Sequence, residues 1–477
     1  MANKTKITFI EPPPITERVP ERLAGCTYEI HHFPDLANLG LLSLLKKEGY
    51  EVNLIDAILE KIPQEKFFSR IAADDSDYYV IHSVILAKPT DIMTIPRIYE
   101  LRPKSRIFVH GPEPTRVPWE YLQDERTVVF RGEPEDNMLT FLREGSSPGI
   151  SFKKKREIES LPPTGKQVNL NMLPVPDRLF GPLGRYRNRF FNPKFRGRPY
   201  TAMIASRGCS FRCLFCVPNS ISFARELECL KYFKKKPRVA KASAERVAEE
   251  FKTIAAQGFK SVMVIDDQFL WDKMRTLQIC GEVAPLGLEW GMLSRADFLL
   301  DEEVIQALKF AGCTSIDIGV ESLRQETLDY VRKDLTVEQI ETALMLLKKH
   351  GISAKLNMIL GACPMETEKD IMEGIEKLRE MDVENVMFSI ATPFKGTEFY
   401  RLCEEEGYLI DESDELDPLN KSMISYPDLP AEKIEKLEKI AYRKFYLRPD
   451  KIWKRLRETK SLRELFKDIS IALKIFK

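Results

Sequence analysis

Long apolar runs are absent from this chain of 477 residues. No stretch is apolar over the roughly 18 residues that a membrane span needs, and the opening MANKTKITFIEPPP lacks the pattern of a signal peptide. An excess of positive charge is also absent, because 73 Lys and Arg residues face 72 Asp and Glu residues. We therefore expect a cytoplasmic protein without a nucleic-acid partner and without membrane association.

Cysteine is scarce and unevenly placed. The nine cysteines have irregular spacing, and three of them, Cys209, Cys213 and Cys216, lie close together. This distribution suits a metal site in a reducing compartment better than a framework of disulfides.

Residues 1–145 alternate short apolar runs with helical patterns, which predicts a doubly wound, flavodoxin-like (Rossmann-like) α/β domain. The predicted strands are Lys6 to Ile10, Glu51 to Ile55, Tyr78 to His82, Arg106 to His110 and Thr127 to Phe130. The predicted helices are Leu36 to Lys47, Asp91 to Leu101 and Glu135 to Arg143.

The rest of the chain divides into three predicted segments. Residues 146–197 are rich in Pro, Lys, Arg and Asn and are expected to be a linker. Residues 198–407 contain about six strand-and-helix units, which predicts a partial (β/α)6 barrel with ligand groups at the C-terminal strand ends. Residues 408–477 are expected to form a C-terminal helical domain, whose last stretch, LRELFKDISIALKIFK, predicts a basic amphipathic helix docked on the core rather than on a membrane.

The cysteine cluster has the spacing C-x3-C-x2-C in TAMIASRGCSFRCLFCVPN, directly after a predicted strand and a glycine. Three thiolates on one loop can hold three irons of a 4Fe-4S cluster and leave the fourth open. Structural zinc, the alternative together with plain core cysteines, requires four closed ligands. No fourth Cys or His lies nearby in sequence except Cys229.

This spacing, with the aromatic Phe215 before the third cysteine, resembles the signature of the radical S-adenosylmethionine (radical SAM) superfamily. The resemblance implies a 4Fe-4S cluster on Cys209, Cys213 and Cys216, and S-adenosylmethionine chelated by the open iron. It also implies an electron donor such as ferredoxin or flavodoxin.

Five further motifs along the predicted barrel strengthen the resemblance: VIDDQF, LSRAD, IGVES, GACPMET and TPFKGT. The resemblance assigns S-adenosylmethionine contacts to Phe215, Asp266, Arg295, Glu321, Ser322, Gly361 and Pro364. Asp267 remains open between such a contact and helix capping. Two roles remain possible for Arg295: a partner for the carboxylate group of S-adenosylmethionine or a member of a surface ion pair. Cys363 leaves a ligand for a second cluster as an open alternative.

The first domain resembles the cobalamin-binding domain that precedes the barrel in one class of these enzymes. The resemblance rests on the EPPP loop and on FPDLANLGLLSLLKKEGYEVNLIDA, HGPEPTRVP and FRGEPED. It assigns cobalamin contacts at the strand ends to Pro12, Pro13, Ser83, Gly111, Thr115, Gly132 and Glu133. The alternative is a flavodoxin-like domain that serves only as a scaffold.

The cobalamin histidine motif D-x-H-x-x-G is absent from the sequence. The resemblance therefore implies cobalamin with its own base displaced and no protein histidine below cobalt. His82, at a predicted strand end, is the histidine that could contradict this expectation, although a packed, hydrogen-bonded role is favoured for it.

Together the motifs predict a cobalamin-dependent radical SAM C-methyltransferase that acts on an unactivated sp3 carbon. One S-adenosylmethionine would methylate cobalamin and a second would supply the 5'-deoxyadenosyl radical. A radical SAM cyclase, mutase or oxidase that transfers no methyl group is the rival, and a cluster-bearing electron carrier is the alternative from another class. A methylthiotransferase is disfavoured because the first domain holds only Cys26.

The substrate is the least determined part of this prediction. A protein side chain, such as the glutamine of methyl-coenzyme M reductase, is favoured over a lipid, an antibiotic precursor or another small molecule.

Overall fold

The computed structural model describes residues 4–16, 18–24, 27–28, 31–381, 383–449 and 451–453. The chain forms two compact units. The first unit comprises residues 1–210, 217–293 and 306–314, and the second comprises residues 211–216, 294–305 and 315–477. The stretch LRELFKDISIALKIFK, at 462–477, lies outside the described residues.

The first unit contains a seven-stranded sheet with the order β2-β1-β3-β4-β5-β6-β7. Its strands are β1 (Lys6–Glu11), β2 (Glu51–Asp56), β3 (Tyr78–His82), β4 (Arg106–His110), β5 (Thr127–Phe130), β6 (Ile150–Lys154) and β7 (Glu157–Ser160). Strands β1 to β5 are parallel, whereas β6 and β7 extend the sheet in antiparallel fashion. Residues expected to begin the linker thus continue the sheet as far as Ser160.

The central strands β1, β3 and β4 are buried over nearly their whole length, as expected for a sheet that helices cover on both faces. The helices are α1 (Leu36–Lys47), α2 (Ala57–Glu60), α3 (Gln64–Ala73), α4 (Lys88–Leu101), α5 (Pro112–Arg116), α6 (Pro118–Tyr121), α7 (Glu135–Glu144) and, after the sheet, α8 (Pro182–Tyr186). Neighbouring residues of a strand point to opposite cores: Val80 packs in one and Ile81 in the other. The strand order reverses at β1, so a crevice between the ends of β1 and β3 is the expected ligand position.

The first unit also contains the beginning of the second strand-and-helix repeat. Its strands are β8 (Tyr200–Met203), β9 (Ser206–Arg207), β10 (Ala240–Lys241), β11 (Ser261–Val264) and β12 (Glu289–Ser294), and its helices are α9 (Ser220–Phe233), α10 (Ala244–Ala256) and α11 (Lys273–Val283). Strand β11 pairs in parallel with β8 and with β12. Each longer strand is followed by a helix, as the predicted barrel requires.

The second unit continues the repeat. Its elements are α12 (Glu302–Phe310), β13 (Cys313–Glu321), α13 (Gln325–Tyr330), α14 (Val337–Lys349), β14 (Ser353–Leu360), α15 (Glu368–Glu380), β15 (Asn385–Ile390), α16 (Glu398–Glu405) and α17 (Ala431–Tyr446). Helix α12 ends in the first unit, and strand β13 begins there. Strand β14 pairs in parallel with β13 and with β15. The six strands β8 and β11 to β15 follow one another in sequence order in a parallel sheet, and this confirms the predicted α/β fold with a partial barrel.

Threonines of the recognised motifs begin helices in the second unit. Thr367, the last residue of GACPMET, forms a capping box with Asp370 at the start of α15. Thr397, the last residue of TPFKGT, accepts a hydrogen bond from the backbone N–H of Tyr400 at the start of α16. Such caps satisfy backbone donors that a helix leaves open, so these threonines have a structural role.

Helix α17 covers the edge strand β15. The Tyr442 and Tyr446 hydroxyl groups accept hydrogen bonds from the N–H groups of Phe388 and Val386 and donate to the carbonyl groups of the same residues. An exposed strand edge is thereby protected from pairing with other chains. No helix in the described ranges is long and apolar enough to cross a membrane.

Candidate functional site

The base of the cysteine loop is closed by Asp267. Its carboxylate accepts hydrogen bonds from the backbone N–H of Gly208, at 2.8 Å, and from the backbone N–H of Asn219, at 2.7 Å. Gly208 precedes the first cysteine, and Asn219 caps the start of α9 after the third. Burial raises the pKa of Asp267, and these hydrogen bonds oppose the rise. Asp267 therefore acts on the loop itself, which is more than capping a helix.

The neighbouring acid, Asp266, is held by the backbone that precedes the loop. Its two carboxylate oxygens lie 2.6 Å from the Ala205 N and 2.8 Å from the Ser206 Oγ. Burial raises the pKa of Asp266 to about 7 in spite of these hydrogen bonds. Gln268 follows, with its Oε1 3.5 Å from the Cys209 Sγ. The motif VIDDQF thus contacts both the backbone that leads to the first cysteine and the sulfur atom of that cysteine.

The part of the loop in the second unit is tied to the turn after α13. The Leu214 N–H donates to the Val331 carbonyl at 3.1 Å, and the Leu214 carbonyl accepts from the Phe399 N–H at 3.1 Å. The ring of Phe215, between Cys213 and Cys216, lies 6.0 Å from the Lys333 Nζ. The predicted aromatic contact therefore borders a buried cation.

Glu321 ends β13 in a left-handed backbone conformation, with φ of +69°. Its Oε1 accepts a hydrogen bond of 2.7 Å from the Lys333 Nζ. Burial alone would lower the pKa of Lys333, but the attraction of Glu321 and of Cys213 raises it above its usual value. A Cβ at Gly319 would lie 2.7 Å from the Glu321 Oε1 and 3.0 Å from the Lys333 Nζ. Glycine at 319 gives this ion pair its space.

Arg295 uses its guanidinium group within the second unit. Its nitrogens donate to the carboxylate of Asp297 and to the carbonyl groups of Lys333 and Asp334, at 2.7 to 3.3 Å. Its charged end also lies 3.5 Å from the centre of the Phe211 ring. The side chain is buried rather than a surface ion pair, and in this arrangement it orients the turn that carries Lys333.

The GACPMET turn is built around a buried acid. Glu366 accepts a hydrogen bond of 2.8 Å from the Gly361 N–H, and burial raises its pKa to about 7. Gly361 has φ of +73°, and a Cβ there would lie 2.9 Å from Ile434 of α17. Pro364 lies within the turn closed by the hydrogen bond from the Glu366 N–H to the Cys363 carbonyl. Ser322, which follows β13, is buried and accepts from the Arg324 N–H at 3.2 Å.

The donor set on the cysteine loop fits an iron-sulfur cluster. Cys209, Cys213 and Cys216 are half-buried and form no disulfide, and thiolates are the preferred ligands of such clusters. In the described ranges, no three His, Cys, Asp or Glu side chains are already gathered around one point as a metal site. The loop thus supplies the ligand chemistry on a fixed base.

The predicted cobalamin positions lie at the C-terminal ends of the parallel strands in the first unit. Gly111 follows β4 with φ of +114°, and a Cβ there would lie 2.3 Å from the Ser83 carbonyl oxygen. The Thr115 hydroxyl donates to the Gly111 carbonyl at 2.7 Å and accepts from the Gly132 N–H at 3.0 Å. Small, buried residues that are hydrogen-bonded to one another therefore occupy these strand ends.

The remaining predicted positions have different surroundings. The Ser83 hydroxyl is fully buried, 2.7 Å from that of Tyr121. Pro12 is buried and Pro13 is half-buried, directly after β1 at the reversal of strand order. The Glu133 carboxylate accepts a hydrogen bond of 2.9 Å from Arg207, so this acid is engaged by the residue that leads into the cysteine loop.

His82 is buried in a hydrogen-bonded cluster beneath the same sheet edge. Its Nδ1 lies 2.8 Å from the Asp35 carboxylate, and its ring stacks on His110 at 4.9 Å. Its Nε2 is buried and has no hydrogen-bond partner. Burial alone would raise the pKa of Asp35, but His82 lowers it below its usual value. Burial and the proximity of His82 lower the pKa of His110.

The strand ends fit a flat, extended ligand on chemical grounds. The strand order reverses at β1, between β2 and β3, and such a reversal is the usual position of the ligand crevice in an open parallel sheet. Gly111 and Gly132 have positive φ values, which glycine adopts without strain. Both are packed against protein: a Cβ on Gly111 would lie 2.3 Å from the Ser83 carbonyl oxygen, and one on Gly132 would lie 3.5 Å from the Glu228 Cβ.

Two residues of the site escaped the sequence analysis. Lys333 belongs to no recognised motif, and only its burial beside Glu321 reveals it. Arg207 stands two residues before Cys209 inside the recognised stretch, yet its partners are 74 and 72 residues away. A short-range pattern cannot report either pairing.

Comparison with protein families matches residues 203–363 to the radical SAM superfamily. Over 461 residues the chain is 28% identical to an uncharacterized methyltransferase of Pyrococcus horikoshii, and the match covers 93% of each chain. The match to the superfamily confirms the resemblance inferred from the cysteine spacing.

Two solved structures share the fold of nearly the whole chain. One is the cobalamin-dependent S-adenosylmethionine radical enzyme OxsB with aqua-cobalamin and S-adenosylmethionine bound, with a TM-score of 0.69, 16% identity and coverage of 92% of this chain and 66% of OxsB. The other is the radical S-adenosylmethionine methyltransferase TsrM of Kitasatospora setae with cobalamin and a [4Fe-4S] cluster bound. Its TM-score is 0.67 at 17% identity, with coverage of 93% of this chain and 82% of TsrM.

Proposed function

We propose that this radical SAM enzyme, which has the fold of the cobalamin-dependent members of that superfamily, is a C-methyltransferase acting on an unactivated sp3 carbon. One observation carries the proposal. The superfamily match includes Cys209, Cys213 and Cys216, and the same chain carries before them an open sheet whose strand order reverses at β1. Radical chemistry and a methyl carrier are both needed at a carbon that is not nucleophilic, because its C–H bond must first be broken by hydrogen abstraction.

The cofactors supply the difficult chemistry when they are bound: the cluster and S-adenosylmethionine provide a carbon-centred radical, and cobalamin carries the methyl group. The chain supplies ligands, positions and a dry environment. Three thiolates would hold the cluster, and Asp267 fixes the base of their loop through Gly208 and Asn219.

The ion pair of Glu321 with Lys333 provides polar groups for S-adenosylmethionine beside Phe215. The buried cation suits the carboxylate of the methionine moiety, and the buried carboxylate suits its amino group or the ribose hydroxyls. Both charges are compensated before a ligand arrives, so binding requires only an exchange of partners.

The sheet edge of the first unit supports the cobalamin part of the proposal. Gly111, Gly132 and Thr115 are joined by hydrogen bonds at the C-terminal ends of β4 and β5, the edge at which open parallel sheets bind their ligands. The loop of Pro12 and Pro13 borders it at the reversal of strand order.

We propose a protein or peptide side chain as the substrate, with an amide such as that of glutamine as the favoured group. The support comes from the polar side chains that β13 and β14 place on one face of the sheet. The Lys355 Nζ lies 3.4 Å from the Asp317 carboxylate, and the Asn357 Oδ1 beside them has no hydrogen-bond partner. A hydrocarbon lipid would leave the buried Asn357 Oδ1 without a partner, at a cost of about 1–3 kcal/mol.

The proposal includes a low-potential electron donor such as ferredoxin or flavodoxin, because cleavage of S-adenosylmethionine requires one electron for each radical formed. It also places the enzyme in the cytoplasm. A reducing compartment suits the eight described cysteines, none of which forms a disulfide.

The test is an anaerobic incubation of the reconstituted enzyme with cobalamin, a reductant and S-adenosylmethionine labelled in its methyl group. A deproteinised extract, a lipid extract and a protein extract of a strain that lacks the enzyme serve as separate substrate sources. We expect label in the protein fraction that resists base and nucleophiles, as a methyl group on carbon does. Label in another fraction would overturn the substrate proposal, and 5'-deoxyadenosine without any methyl transfer would overturn the methyltransferase in favour of a radical cyclase, mutase or oxidase. Cys213→Ala is the matched control.

A further inference from the structure

Arg207 joins the cysteine loop to the end of the seven-stranded sheet. It is the second residue of β9, and Cys209 follows two residues later. Its Nη1 donates to the Glu133 Oε1 at 2.9 Å, and its Nη2 donates to the Glu135 Oε1 at 2.6 Å. All three side chains are buried, so one guanidinium group binds two carboxylates without competition from solvent.

The two acids belong to the loop that carries the predicted cobalamin contacts. Glu133 follows Gly132 after β5, and Glu135 begins α7. The Gly132 N–H is bound to the Thr115 hydroxyl, which also binds the Gly111 carbonyl. The acids are therefore joined through Gly132 and Thr115 to the sheet edge on which these glycines lie.

A second set of ion pairs follows the cysteine loop. Arg225 of α9 lies 3.7 Å from the Glu133 carboxylate, and Glu228 of the same helix lies 3.0 Å from Arg131 at the end of β5. Arg207, Arg225, Glu133 and Glu135 form one network of two positive and two negative side chains, which we call the arginine–glutamate network. Arg131 and Glu228 form a separate ion pair next to it in sequence.

This network is poorly suited to a role in stability alone. Buried ion pairs lose about as much in desolvation as they gain in attraction, and apolar residues of similar size often serve stability as well or better. Buried ion pairs do impose a defined geometry, because a planar guanidinium group fixes the positions of the carboxylates that it binds. Positioning is therefore the use that its geometry favours.

We propose that Arg207 is a positioning residue that sets Cys209 in register with the cobalamin-bearing sheet edge through Glu133 and Glu135. This inference rests on the proposed function, since it gives the network a purpose in a reaction that needs both cofactors. It also gives Glu133 a different role from the corrin contact expected from the sequence: its carboxylate holds the cysteine loop.

The test compares four variants of the full chain: Arg207→Met, Arg207→Lys, Glu135→Gln and the control Arg178→Met. Arg178 is a matched control because it is equally buried and forms a 2.5 Å ion pair with Glu250 elsewhere in the first unit. It contacts neither the cysteine loop nor the sheet edge of Gly111 and Gly132. Arg207→Lys keeps the positive charge but not the planar guanidinium group that binds two carboxylates. Its effects on exchange and on the product ratio should therefore be smaller than those of Arg207→Met.

The first measurement uses protein without cofactors. Hydrogen exchange of residues 205–219 should be faster in Arg207→Met than in the wild type, and unchanged in the control. Equal exchange in Arg207→Met and Arg178→Met would overturn the proposal whether or not the protein is a methyltransferase. This measurement separates failure of the inference from failure of the proposed function.

The second measurement uses the reconstituted enzyme. Arg207→Met should retain iron and bind cobalamin with unchanged affinity, yet lower the ratio of S-adenosylhomocysteine to 5'-deoxyadenosine about tenfold to a hundredfold, the cost of a displacement of about 1 Å. Glu135→Gln should lower the ratio less. The control should leave the ratio unchanged, and a loss of cobalamin affinity in Glu135→Gln with an unchanged ratio would assign the acids to the corrin and overturn the inference.

Discussion

The Lys333 ammonium group lies 2.7 Å from the Glu321 carboxylate, and both side chains are buried. Glu321 is held in a left-handed backbone conformation that non-glycine residues adopt only when their surroundings impose it. The pair therefore defines the end of β13 both through its charge and through the backbone that it constrains.

Removing one member of this ion pair should lower the free energy of unfolding far more than removing both members. Lys333→Met leaves the Glu321 carboxylate buried without a partner, which costs about 3–5 kcal/mol in the free energy of unfolding. The double variant Lys333→Met with Glu321→Gln should recover a large part of that loss. Denaturant unfolding of the cofactor-free protein measures both, and additive losses in the double variant would contradict the ion pair.

The anaerobically purified protein should hold one 4Fe-4S cluster, because only Cys209, Cys213 and Cys216 have ligand spacing. Changing all three to Ala should abolish the cluster signal in electron paramagnetic resonance and the bound iron. Cys229→Ala, in α9, is the control and should keep both. About eight irons per chain after reconstitution would contradict a single cluster and direct attention to Cys363.

Turnover with the true substrate should produce both 5'-deoxyadenosine and S-adenosylhomocysteine. Glu321→Ala and Arg295→Ala should lower the formation of 5'-deoxyadenosine by about a hundredfold, because each disturbs groups placed beside Phe215 and a shift of about 1 Å is enough for such a loss. Quantification of both products by mass spectrometry is the measurement. If the wild type makes 5'-deoxyadenosine alone, the methyl transfer is wrong.

Glu366 should make the protein less stable as the pH rises through the neutral range. Burial raises its pKa to about 7 from an ordinary value of 4.5, so the folded chain binds this proton more tightly than the unfolded chain. The resulting stability is complete below pH 4.5 and is lost progressively up to about pH 7. It amounts to on the order of 3 kcal/mol.

Glu366→Gln has no such proton to lose. The difference in Tm between Glu366→Gln and the wild type should therefore rise in favour of the variant from about pH 4.5 to 7 and then level off. A difference that does not change with pH would show that the carboxyl group has an ordinary pKa.

Cobalamin should bind with its own base displaced and without a protein histidine below cobalt. His82 is the strand-end histidine that tests this, and its Nδ1 is bound to Asp35 while its ring is stacked on His110. Electron paramagnetic resonance of the cobalt(II) form should lack nitrogen superhyperfine splitting. A splitting that disappears in His82→Ala would overturn the prediction, because the unpartnered Nε2 would then be the ligand.

The strands were predictable because each is a short run of apolar or alternating residues. All five predicted strands of the first domain agree with β1 to β5 within one residue. Helix α3 was missed because its apolar pattern is thin: Phe67 and Ile71 are its only buried residues. Strands β6 and β7 were missed because Lys and Glu alternate with few apolar residues at a sheet edge.

The candidate site was predictable where one motif held all of its parts. The cysteine spacing and the match of residues 203–363 to the radical SAM superfamily agree. The partners of Glu133 and Arg207 were not predictable, because their hydrogen bond joins residues 74 positions apart. The overall topology brings such pairs together, so a local sequence pattern cannot predict that they are in contact. The assignments to individual cofactor contacts stay predictions.

The hydrogen bonds that Asp267 accepts from Gly208 and Asn219 have a consequence for how the enzyme acquires its iron. Because the two ends of the loop are already held together, the entropy of loop closure does not have to be lost when the cluster binds. A cluster destroyed by oxygen would leave this loop closed at its base. We therefore expect that exposure to air removes iron from the protein while the fold is retained, and that the cluster can be rebuilt afterwards.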